Sequence, residues 1–150
     1  MKSLFNTSDN DEIVGRINRL TGDTKPQWGK MGAGQMLVHA RRPLQVAYGD
    51  LKLKRTLAGI LFGNWAKKNI VRGEAPFQKN LPTDKNFVVK DSHDVEEGKK
   101  TLIALVRKFA QVGPTGITKE PHPFFGKMTS QEWDLLMWKH LDHHLRQFGV

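Results

Sequence analysis

The chain contains no cysteine, so neither a disulfide framework nor a thiolate metal site can be built from it. Any transition metal must be held by His, Asp or Glu, and a thiol-free chain fits a cytoplasmic protein. Long apolar runs are lacking too. Nothing approaches the roughly 20 residues needed to span a bilayer, so no membrane is expected among its partners. The opening MKSLFNTSDNDEIVGR has no apolar centre and is acidic early, which argues against a signal or transit peptide. Acidic residues are also scarce: 15 Asp and Glu stand against 24 Lys and Arg, for a net charge of +9. Such a balance raises nucleic acid or an anionic surface as partners. The basic residues are dispersed, however, with local clusters only at Lys52 to Arg55 and at Lys67 and Lys68. With no RNA-binding aromatic motif and no zinc finger, a solvated basic surface is the expected reading, and nucleic-acid binding ranks last.

What is present suits one domain over residues 1–150, with 38% hydrophobic residues and no internal repeat. Apolar positions at helical spacing predict an all-α fold. A first helix starts near Thr7 or Ser8, with Ser8 as its cap, carries Ile13, Ile17 and Leu20, and stops at Gly22. A second runs from about Ala33 to Tyr48 with Gly32 at the cap and a kink or break at Pro43. Residues 49 to 91 are the least regular, with a short amphipathic helix around Leu57 to Trp65 and a brief extended piece at 87 to 89. Such a helix can touch a membrane, but the expected reading is a lid on the core. A third helix begins near Asp91 or Ser92 and is ended by Gly113 and Pro114. The fourth begins at Thr129, whose spacing to Glu132 is that of a capping box.

The fourth helix carries the chemistry. Trp133, Leu136, Met137, Leu141 and Phe148 form its apolar face, and at about 100° per residue His140 and His144 project onto that face within roughly 40° of each other. Two imidazoles one turn apart on a buried stripe are half of a metal site, and buried imidazoles without partners are costly. Short connections and one crossover of about 40 residues between helices 2 and 3 predict a four-helix bundle in up-down-down-up order. His39, early in helix 2, then lies at the same end as His140 and His144. Three neutral histidines on one side of a divalent ion (zinc, nickel, iron or copper) leave positions open for water or substrate, where the ion lowers the pKa of a bound water or thiol. His143 is a candidate proton shuttle beside the ligands. Trp28 and His93 are candidates for the pocket rim. His122 is placed in a loop at the opposite end, roughly 15 Å or more away, as a structural residue.

ProGlnTrpGlyLysMet at 26–31, GlnMetLeuValHis at 35–39, HisProPhePheGly at 122–126 and HisLeuAspHisHisLeuArgGlnPheGly at 140–149 together resemble the DinB/YfiT-like superfamily, in particular a branch that is a domain of unknown function. Gly32 departs from that pattern, where a stronger cap such as Asn is expected. The resemblance implies an up-down-down-up bundle and a metal triad on His39, His140 and His144. Characterised members include metal-dependent S-transferases that use low-molecular-weight thiols, and maleylpyruvate isomerases. The expectation is therefore a metalloenzyme acting on a small molecule, thiol transferase-like or hydrolase-like, with a homodimer left open. No carboxylate is placed as a general base, which argues against a dedicated hydrolase. The rival is a non-catalytic binding or stress-response module with a vestigial metal site.

Overall fold

The computed structural model describes residues 2–73 and 75–150 and is all-helical, with no strand among the described residues. Five α-helices form rather than four: α1 (Thr7–Asn18), α2 (Ala33–Tyr48), α3 (Leu57–Ala66), α4 (Val95–Val112) and α5 (Ser130–Gln147). α3 runs on into a π-helical turn at Lys67–Val71, and a 3-10 turn stands at Lys85–Phe87, so of the extended piece expected at 87 to 89 Phe87 is helical and Val88 extended.

Four of the five helices begin where a side chain satisfies one of their first free N–H groups, and α2 begins at Gly32, which has no side chain to do so. α1 starts at Thr7, two residues earlier than a Ser8 cap would allow, because Asn6 accepts from the Asp9 amide at 3.1 Å. It ends at Asn18, short of Gly22. α4 is capped by Asp94, accepting from the Glu97 amide at 2.8 Å, and so starts three to four residues beyond the expected Asp91 or Ser92. α5 has the expected reciprocal box: Thr129 Oγ1 accepts from the Glu132 amide and Glu132 Oε2 from the Thr129 amide. α2 passes through Pro43 without ending and stops at Gly49, whose φ of 78° favours glycine.

α1 and α2 each pack against both α4 and α5. The core between them holds Ile13 and Ile17 of α1, Leu37 and Leu44 of α2, Phe109 of α4 and Trp133 of α5, all at most 1% exposed. α5 is buried nearly all round rather than along one stripe. Even Lys139 is 8% exposed, with Nζ donating to the carbonyls of Ile70 and Gly73 at 2.6 and 2.7 Å. That ammonium satisfies the free carbonyls where the π turn ends, and so ties this segment to α5.

The crossover is laced to α2 by one ridge of side chains. Gln35 donates to the carbonyls of Val89 and Lys90, His39 to that of Phe87, and Arg42 to those of Asn86 and Val88. Positions 35, 39 and 42 share a helix face, so α2 supplies donors to five consecutive carbonyls that have no ladder of their own.

Candidate metal centre

α2 and α5 meet near one mouth of the structure, and His39, His140 and His144 meet there. One ring nitrogen from each lies within 4.8 Å of the others, so the three could hold a metal ion. The ring centroids of His39 and His144, and of His140 and His144, are 4.7 Å apart.

Hydrogen bonds fix which nitrogen each ring offers. The Phe87 carbonyl can only accept, so His39 Nδ1 carries the proton (2.9 Å) and Nε2 keeps its lone pair. His144 Nδ1 lies 2.8 Å from Gln147 Oε1, and Gln147 Nε2 in turn donates to the Trp28 carbonyl at 2.7 Å. The amide is thereby oriented oxygen-first toward the ring, and His144 Nε2 is left free. Such outer partners are the usual means of aiming an imidazole at a metal. His140 lacks one among the described residues: its Nδ1 is buried with no partner there. Its Nε2 stands 3.1 Å from His39 Nε2. Two nitrogens each about 2.1 Å from a common ion are about 3.0–3.4 Å apart at octahedral or tetrahedral angles, so this spacing fits a shared ligand sphere.

Burial holds all three rings neutral. Desolvation lowers His39, takes His140 well below the usual imidazole range with help from the neighbouring His144, and brings His144 down to about 3. Neutral imidazole is the form that ligates a metal.

The triad opens on a cleft of about 700 Å³ with mainly apolar walls. Trp28 lines it, half-buried, with Lys79 Nζ 4.5 Å above its ring. His143 also lines it, buried between Trp28 and Phe77 with centroids at 5.8 and 6.0 Å, and desolvation lowers its pKa. His93 is absent from these walls: it is exposed, and its carbonyl is pressed against Gly34, where a Cβ would come within 2.0 Å. His122 is placed differently from expectation. It lines the same cleft, its ring 5.1 Å from Trp133, about two helical turns along α5 from His140. Its Nδ1 accepts from the amides of Phe124 and Phe125 at 3.0 and 3.1 Å, which closes a tight turn and folds the loop back over the cleft. Among the described residues the only carboxylate on the walls is Asp84, whose Oδ1 already accepts from the amide and side chain of Asn86.

No helix among the described residues is long and apolar enough to cross a membrane. No curated protein and no solved structure matches the chain. A family model does match, over residues 2–149, and the chain belongs to that family, described as a protein of unknown function, DUF1569.

Proposed function

We propose that the protein is a metal-dependent enzyme in which His39, His140 and His144 hold a divalent ion, zinc, nickel or iron, beside a small-molecule cleft. The carrying observation is the convergence of three neutral imidazoles on one side of an open 700 Å³ cleft, two of them with Nδ1–H anchored outward. When bound, the ion supplies Lewis acidity toward a thiol or water. The chain's own residues do the rest. Trp28, Phe77 and Leu136 give an apolar surface that excludes water from a substrate, and His143, neutral and at the wall, can take up a proton released there. The substrate class favoured is an electrophilic small molecule joined to a low-molecular-weight thiol. Hydrolysis is disfavoured, because the one carboxylate on the walls among the described residues is occupied as a turn cap.

The DinB/YfiT-like reading accompanies this proposal. It is supported by the ring of contacts in which α1 and α2 each touch α4 and α5, an arrangement suited to an up-down-down-up four-helix bundle with α3 added to its crossover. The cytoplasm is the proposed compartment, supported by a chain without cysteine. A vestigial, non-catalytic module would be expected to fill the open side of the triad with side chains, and the cleft volume speaks against that.

The test is metal analysis of protein purified without nickel resin, followed by a thiol-conjugation screen. Near-stoichiometric metal that is lost in His144→Ala supports the site. Less than about a tenth of an equivalent, with no uptake on adding zinc, nickel or iron, defeats it.

A further inference from the structure

α3 is mounted with its small residues inward. Its buried positions are Gly59, Gly63 and Ala66. A Cβ on Gly59 would come within 2.6 Å of the Phe124 carbonyl oxygen, and one on Gly63 within 2.2 Å, so the helix lies backbone-to-backbone on the loop that His122 closes. At 100° per residue these three positions span about 60°, which turns every large residue outward. Leu57 is 80% exposed, Leu61 74%, Trp65 70%, Phe62 59% and Ile60 57%. The helix carries no charge. Of the two readings the sequence leaves for this helix, a lid on the core and a contact with a membrane, the first is the expected one, but the apolar face points away from the core.

A contiguous apolar face of this size marks an interaction site. The surrounding charge selects the partner. Every charged residue from 51 to 73 is Lys or Arg. Lys67 and Arg72 lean on Glu132, while Lys52, Lys54 and Lys68 are exposed and pair with no carboxylate among the described residues. An uncharged Leu, Ile, Phe and Trp face bracketed at both ends by cations has the chemistry of a helix lying in the interface of an anionic bilayer. Its 10 residues span about 15 Å, half of a hydrocarbon core, so it lies on the membrane rather than crossing it. A second copy fits less well, because a two-fold contact through α3 would bring two acid-free basic segments together. Nucleic acid would leave the apolar face without a counterpart.

We propose that α3 docks the protein on an anionic lipid surface, inserting Leu57, Leu61 and Trp65, with Lys52, Lys54 and Lys68 against the headgroups. Thr56 and Ala58, at the start of the same helix, also line the metal-site cleft. Docking therefore sets the cleft beside the membrane. The inference is independent of the metal, since α3 contributes no ligand.

The test is flotation of the full chain with vesicles of phosphatidylcholine alone and with about a quarter phosphatidylglycerol. The wild type floats with the anionic vesicles, with a blue shift of tryptophan emission, and much less with the neutral ones. Leu61→Asp, at an exposed position, keeps its melting temperature and loses partitioning by roughly tenfold or more. Lys54→Glu with Lys68→Glu weakens binding to anionic vesicles and leaves neutral ones unaffected. The proposal is overturned if the wild type floats with neither vesicle, or if Leu61→Asp floats like wild type. A concentration-dependent dimer dissolved by Leu61→Asp, without flotation, would assign the face to a second copy and also overturn it.

Discussion

Nε2 of His39 and Nε2 of His140 face each other at 3.1 Å across a sequence separation of 101 residues. With the His39 proton held on Nδ1 by a carbonyl, one of these two nitrogens is always a lone pair, and the contact is satisfied either by a proton on His140 Nε2 or by a shared cation. A divalent ion is the stronger partner for a triad of neutral rings.

Metal loading therefore stabilises the wild type. At free metal about a hundredfold above Kd the gain is about 2.7 kcal/mol, seen as a rise in melting temperature that EDTA reverses. His39→Ala, His140→Ala and His144→Ala should each abolish that rise. If all three respond to zinc, nickel or iron as the wild type does, the ion binds elsewhere.

Gln147 aims one ligand and holds the cleft rim at the same time. Gln147→Met keeps the volume and removes both hydrogen bonds, the one Oε1 accepts from His144 Nδ1 and the one Nε2 donates to the Trp28 carbonyl. Metal affinity should fall about 10–100-fold, the usual cost of an outer partner. Competition titration with a chromophoric chelator measures it, and unchanged affinity would show that packing alone orients His144.

The metal-free protein should lose stability on the acid side. Burial brings His122 from the usual 6.5 to about 4. Above 6.5 both folded and unfolded chains are neutral there and pH has no effect through this residue. Between about 6.5 and 4 the unfolded chain takes up a proton that the fold refuses, so stability falls as pH falls, by up to about 1.4 kcal/mol per unit. Below about 4 the fold protonates too and the slope fades. His122→Asn offers Oδ1 to the same backbone amides and should flatten the slope by one proton's worth in urea titrations across this range.

α3 reverses the usual ranking of large and small residues. Gly63→Ala places a methyl against the Phe124 carbonyl and should cost about 1–3 kcal/mol. Leu57→Ser, on the exposed face, should stay within about 0.5 kcal/mol. Urea midpoints for the two variants decide it, and equal costs would mean that the helix is mounted otherwise.

Local patterns in the sequence located some features closely. The bounds of α2 and the Thr129 box of α5 follow from caps and stops acting within one turn. The spacing of His140 and His144 placed two rings on one face, and the topology of the crossover added His39. What escaped depends on distant contacts. Asn6, Thr7 and Ser8 are all good caps, and so are Asp91, Ser92 and Asp94; nothing local ranks them, and the fold used Asn6 and Asp94. His122 reaches the cleft only because its own Nδ1 closes the turn that folds its loop back. The orientation of α3 had a signal that apolar periodicity obscured: small residues at 59, 63 and 66 repeat at helical spacing.

The hydrogen bond from His39 to the Phe87 carbonyl joins the ligand set to the strap of chain that returns across α2. Whatever captures the ring at one edge also fastens the strap at the other. Occupancy of the triad is thereby readable by a protease: cleavage near residues 85 to 90 slows as the centre fills, so that digestion reports loading without any knowledge of the substrate.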